Sequence, residues 1–280
     1  MNTDKKLNSY KTAAIAAIAL TAILGIVAFC FCTEGSSKYF NNPLVASLLY
    51  ATIAVDVILA LAAYFLFQKA DPVQSEVPAK LQFLSLITAL PAAFIYVTLG
   101  KQIFSEGFNV WIAIIFITTL LSQLYQLAGF FKLGQTGTLA WGLFHIAFCI
   151  VVIAKIYLDF SVEMNAPLKL IIQFTAAASM LSTLSELRVL SGGCSLKRYL
   201  ATKLLLITIA PLSCIAVLVE SFTRYDSYSN EYRAFPLYLF LCALPEAVRF
   251  FTAKPSQEEA HTADSPENDS NTEDDNQSAL

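Results

Sequence analysis

Charge is scarce in this chain. Asp, Glu, Lys and Arg make up 14% of its 280 residues, against about 25% in an ordinary soluble domain. Histidine is scarcer still, with His145 and His261 alone, which excludes bis-His haem sites and His-rich metal sites within one chain. The six cysteines form no C-x-x-C pair, and Cys30 and Cys32 are separated by one residue, a poor disulfide spacing. Most cysteines fall in apolar runs, where Cys behaves as a small apolar residue. No Gly-rich phosphate loop, H-E-x-x-H or G-x-S-x-G stretch occurs. No cofactor, metal or nucleic-acid partner is expected. An intramembrane enzyme is the least supported function, because no nucleophile–base arrangement can be picked out.

Apolar residues are abundant instead. They make up 56% of the chain, with a mean hydropathy of +0.60, and they cluster into runs of about 20, the length that crosses a hydrocarbon core. This excludes a disordered chain, a disulfide-rich secreted module and a soluble enzyme. Eight candidate spans emerge: 12–32, 44–67, 81–100, 110–131, 138–158, 168–187, 199–220 and 232–251. In lipid every backbone polar group needs an internal partner, so these runs are read as helices. A β-barrel would show short alternating segments, which are absent here. The expected fold class is an all-α integral membrane protein of about eight transmembrane helices, with the bilayer as its first partner. Three regions follow: a cytoplasmic N-terminal segment 1–11, a polytopic domain 12–251 and an acidic disordered tail 252–280. The connecting segments are too short to hold a folded domain. The first run is longer than a signal-peptide core and lacks a small-residue cleavage pattern, so it is expected to be retained.

The net charge of −3 hides a split. Pro255 to Leu280 holds eight acids and no Lys or Arg, which leaves 18 basic against 13 acidic residues elsewhere, a net of +5. The tail is disordered by composition, and a basic protein partner could dock there, although solvation alone accounts for it. With the N-terminus inside, 12 of the 18 basic residues lie on the inner side: Lys5, Lys6, Lys11, Lys69, Lys80, Lys132, Arg188, Lys197, Arg198, Lys203, Arg249 and Lys254. The positive-inside rule therefore places both termini in the cytoplasm of a cell-membrane protein.

A shift of 60 residues aligns Ser122-Gln-Leu-Tyr-Gln126, Ser182-Thr-Leu-Ser-Glu186 and Cys242-Ala-Leu-Pro-Glu246. A shift of 120 aligns Leu84–Pro91 with Leu204–Pro211. The match suggests a helical hairpin repeated about every 60 residues, with Gln126, Glu186 and Glu246 in equivalent places. Polar stripes travel with it: Thr119, Ser122 and Gln126 in the fourth span, Thr175, Ser179, Ser182 and Glu186 in the sixth. Such stripes serve helix–helix hydrogen bonding, or a polar path between helices.

The candidate ligand, ion or proton site comprises Asp56, Gln126, Glu186, Arg188, Glu246 and Arg249. Asp56 lies about 18 Å from either end of its span, so it must be protonated, paired or in contact with water. It reads either as a proton or cation site or as a neutral carboxyl bonded to a nearby Ser, Thr or Tyr. No Lys or Arg of another span is expected deep enough to pair with it, whereas His145 is a candidate partner. Glu246 and Arg249 can pair at i,i+3, and Glu186 lies beside Arg188, both pairs near inner helix ends where basic side chains snorkel. Pro91 and Pro211 fall mid-span and should kink their helices. In the first span Ala13, Ala17, Thr21 and Gly25 recur every four residues, a series read as a close helix contact. Arg188-Val-Leu-Ser-Gly-Gly193 reads as a helix stop at glycine. The favoured function is a carrier or channel-like subunit for a small solute or ion. The alternative is a non-enzymatic membrane sensor, scaffold or assembly factor.

Overall fold

The computed structural model describes residues 3–32, 40–67, 73–74, 78, 81–128, 135–160, 166–223 and 230–255. The acidic tail beyond Pro255 lies outside them, as do Lys38, Lys69, Lys80, Lys132 and Arg224. The described residues form nine α-helices: α1 (Thr3–Phe31), α2 (Pro43–Leu66), α3 (Phe83–Ile87), α4 (Ala89–Glu106), α5 (Val110–Ala128), α6 (Gln135–Leu158), α7 (Pro167–Leu190), α8 (Leu196–Thr223) and α9 (Asn230–Thr252). α3 and α4 together make one span, which gives eight helices long and apolar enough to cross a membrane. One short antiparallel pairing joins β1 (Val73–Gln74) to β2 (Lys254–Pro255).

Local chemistry sets the ends. The Asn42 side chain accepts hydrogen bonds from the backbone N–H of Leu44 and Val45 at 3.0 and 3.3 Å, and Pro43 fills the first helical position, where its missing N–H costs nothing. α7 stops as its sequence predicts. Gly192 takes φ 75°, and the N–H of Gly193 donates to the Arg188 carbonyl at 2.8 Å. α1 begins nine residues before the apolar run, so residues 3–11 continue the first helix. Pro91 cannot donate to the carbonyl of Ile87, and the helix breaks one residue later, at Thr88. Pro211 sits inside a continuous α8.

Six spans close on themselves. α4 packs on α5, α5 on α6, α6 on α7, α7 on α8, α8 on α9 and α9 back on α4, while α7 and α9 also touch. α1 and α2 pack on each other and on α8, outside this ring. The expected small-residue face of α1 holds only in part. Thr21 and Gly25 are buried, but Ala13 is exposed and Ala14 takes its place. A four-residue step overshoots one helical turn by about 40°, so over twelve residues the series leaves the contact face. Lys11 donates from Nζ to the carbonyls of Phe251 and Ala253, both at 2.8 Å. The start of α1 and the end of α9 therefore share one side of the molecule, here the terminal face. Outward, α2 and α4 present large apolar side chains such as Phe65 and Phe104, the latter 93% exposed.

Buried positions on α5, α7 and α9 keep a common register. Thr119, Ser179 and Leu239 are buried; so are Ser122, Ser182 and Cys242; so are Gln126, Glu186 and Glu246. Each set is spaced by 60 residues.

Candidate functional site: a buried charge cluster

Four charges meet inside the ring near the terminal face. Lys203 of α8 is fully buried and pairs with Glu186 of α7 at 2.8 Å and with Glu246 of α9. Arg249, one turn beyond Glu246, reaches Glu246 at 2.8 Å and Glu186 at 3.5 Å. Helix rise places Glu186, Lys203 and Glu246 about 6, 10 and 9 Å in from the terminal ends of their helices. The cluster is charge-neutral, with two carboxylates against an ammonium and a guanidinium. It is also well supplied with hydrogen bonds: the Tyr199 hydroxyl donates to Glu186 at 2.7 Å, Ser182 to Glu246 at 3.4 Å, and Lys203 to the Ser182 carbonyl at 3.4 Å. The Tyr199 ring lies 5.0 Å from Lys203 Nζ, and the Tyr125 phenol rests against Arg249. Only Arg249 reaches outward to any extent, its side chain being 28% exposed. Taking such ions out of water is costly unless geometry and hydrogen bonding are good, and here each carboxylate meets both cations.

A second polar group begins beside the first. The Tyr125 ring stands 5.5 Å from the imidazole of His145. His145 Nδ1 lies 2.7 Å from Ser122 Oγ, and Nε2 lies 3.0 Å from Ser179 Oγ. Ser122 Oγ is in turn 2.8 Å from the Tyr238 hydroxyl. Cys149 Sγ lies 3.7 Å from Nε2. The polar stripes of α5 and α7 thus face each other across His145. His145 is not a partner of Asp56.

Asp56 is buried, and the Thr21 hydroxyl donates to its Oδ2 at 2.7 Å. It sits at the contact of α2 with α1, and the structure does not bring it together with the charge cluster in the ring. The hydrogen bond is the one expected of a carboxyl bonded to a nearby hydroxyl. Glu186, Glu246 and Arg249 converge as one site. Gln126 is buried on α5 beside Tyr125, at the position that 60 residues later holds Glu186. Arg188 is exposed. Two residues from Glu186, it points about 200° away around the helix, so it does not share the site. Lys203, the centre of the cluster, is fully buried instead of reaching back to the helix end. Its signal was phase: Tyr199, Lys203, Leu206, Ala210 and Ser213 recur at helical spacing and are all buried.

Cys194, in the turn between α7 and α8, is buried. Burial pushes its thiol above the usual cysteine range, with the negative charge of Glu186 adding to the effect. All six cysteines are free, Cys30 alone being exposed. Among the described residues no group of His, Cys, Asp and Glu could hold a metal ion. Comparison with protein-family models, curated proteins and solved structures yields no match.

Proposed function

We propose that the chain is a multi-pass membrane protein that carries or conducts a small solute or ion through the six-helix ring. The observation that supports this most directly is Lys203, a fully buried ammonium held between two carboxylates of neighbouring helices. Ionisable residues at depth in a lipid-facing bundle are functional by default. The outward apolar side chains of α2 and α4 support lipid on the outside. The shared burial register of α5, α7 and α9 supports a ring built from three copies of one hairpin, with α1 and α2 added. The basic bias of the terminal face supports cytoplasmic termini. In this reading the cluster rearranges its ion pairs as solute or ion passes, with Arg249 the contact to the cytoplasmic side.

The test is flux in vesicles. The full-length protein is reconstituted with internal dyes for protons, sodium and chloride, and gradients of each are imposed. The expected result is flux above protein-free vesicles that a folded Lys203→Met variant loses. Flux equal to that of empty vesicles for each ion and for a panel of labelled small solutes would overturn the reading.

One observation favours the second reading, a sensor or scaffold. The four charges satisfy one another fully, as a structural lock would. In that case the vesicles stay silent, and the acidic tail retains a basic protein partner in pull-downs where a tail-deleted chain does not.

A further inference from the structure

We propose that the hydrogen-bonded chain Ser179–His145–Ser122–Tyr238 relays protons inside the ring, which makes the proton the transported or coupling ion. Its purpose rests on the carrier reading above, whereas the relay stands on geometry. Four groups from four helices, α7, α6, α5 and α9, stand in line, with successive separations of 3.0, 2.7 and 2.8 Å. Each is a hydrogen-bond distance. A neutral imidazole has one N–H donor and one bare acceptor nitrogen, while each hydroxyl both donates and accepts. The chain can therefore be drawn in two directions, each keeping all three hydrogen bonds. In one, Ser179 donates to Nε2 and Nδ1–H donates to Ser122, which donates to Tyr238. In the other, Tyr238 donates to Ser122, Ser122 to Nδ1, and Nε2–H to Ser179. The two forms differ by the tautomer of His145.

The transfer balances. Ser179 gives its proton to Nε2 as it takes one from a water molecule on its other side. The resulting imidazolium releases the Nδ1 proton to Ser122. Ser122 passes its own proton to Tyr238, which gives one up to a water molecule beyond it. One proton enters and one leaves, and the ring returns neutral as the other tautomer. No oxidant, reductant or leaving group is needed. Reorientation of the hydroxyls resets the chain.

The titratable and charged groups around the ring are Tyr125 of α5, Cys149 of α6 and Lys203 of α8, with Tyr238 of α9 reached through Ser122. Lys203 is the cation among them, and Glu186 and Glu246 both pair with it. The chain also has two different ends. Towards the terminal face, Ser182 follows Ser179 by one turn and donates to Glu246, which pairs with the partly exposed Arg249. On the other side, the buried hydroxyls of Tyr96 and Thr119 have no hydrogen-bond partner among the described residues. An unsatisfied buried hydroxyl costs about 1–3 kcal/mol, so both invite water at the far end of the chain. Past them, Val152, Ile156, Ile172 and Phe235 close the ring with apolar packing. The far end is thus closed by apolar packing, and the near end lies one helical turn from the charge cluster.

The chain has two histidines, so His261→Ala leaves His145 as the single imidazole. The His261→Ala protein, labelled with 15N-histidine and held in lipid vesicles, is read by solid-state NMR. The expected result is both tautomers of His145 in exchange, collapsing to one in Ser122→Ala or Ser179→Ala. A single fixed tautomer that ignores Ser122→Ala would overturn the relay. Tautomer exchange in a protein that passes no ion or solute keeps the relay and discards the carrier. Ion flux with a frozen tautomer does the reverse.

Discussion

Lys203 and Glu246 are 43 residues apart in sequence and form an ion pair inside the helix ring, where the lysine has no exposed surface. The pair joins α8 to α9, and Glu186 extends it to α7. Removing one partner of a buried pair leaves an uncompensated charge. Lys203→Met is expected to lower stability by about 3–5 kcal/mol, read as thermal unfolding in detergent. Adding Glu246→Gln should recover part of that loss, because one orphaned carboxylate disappears. Equal or additive losses in the single and double variants would show that the pair is not coupled.

Asp56 behaves differently. Its partner is a hydroxyl, so Asp56→Asn keeps an acceptor for Thr21 and should change stability by no more than about 1 kcal/mol. It should also leave vesicle flux intact, since Asp56 lies at the α1–α2 contact. Thr21→Val leaves a buried carboxyl without its donor and should cost about 1–3 kcal/mol. A loss of flux in well-folded Asp56→Asn would return this residue to the functional site.

Two glycines should rank by what a methyl group would meet. At Gly142 an added Cβ runs into Leu187 Cδ2 and comes to 3.1 Å from both Cδ1 and Cγ, the whole fork of the side chain. At Gly25 it meets only Cδ1 of Leu212, with Cγ at 3.8 Å. Overpacking costs about 1–3 kcal/mol, and Gly142→Ala should fall near the top of that range, with Gly25→Ala below it. Thermal unfolding of the two variants gives the order directly.

Cysteine labelling checks burial and sidedness together. Cys30 is exposed near the far end of α1 and should react with a membrane-impermeant maleimide supplied from the side opposite the termini. Cys194, buried and with its thiol pushed up, should react only after denaturation or at strongly alkaline pH. A reporter active only outside the cell gives the same sidedness: silent when fused after Leu280, active when fused after Tyr39. The reverse pattern would invert the orientation.

The spans were legible because apolar runs of helical length have few other uses. Even the polar stripes of α5 and α7 could be read from spacing, and Ser122, Ser179 and Glu186 face inward as the stripes require. What escaped was the partner of those stripes. Lys203 stands two turns inside α8, a depth at which a lysine usually curls back to the surface. Only its phase with Tyr199 and Leu206 marks it as inward. Two inward carboxylates and one inward ammonium then ask for a second cation, and Arg249 follows one turn after Glu246. Arg188 misled for the converse reason: closeness in sequence to Glu186 is not closeness around a helix. The small-residue series of α1 failed through arithmetic, because a step of four drifts off one face.

The hydrogen bonds from Lys11 to the end of α9 bear on how the molecule is made. Lys11 precedes Phe251 by 240 residues. At about 5–20 residues per second of synthesis, the ammonium leaves the ribosome on the order of 10–50 seconds before the carbonyl it will hold. The first helix must wait with its anchor unmet while the later helices, α2 to α9, are made. Its docking is thus a closing event of biogenesis, and a nascent chain arrested before α9 should still present Lys11 to a water-soluble amine reagent that the finished protein resists.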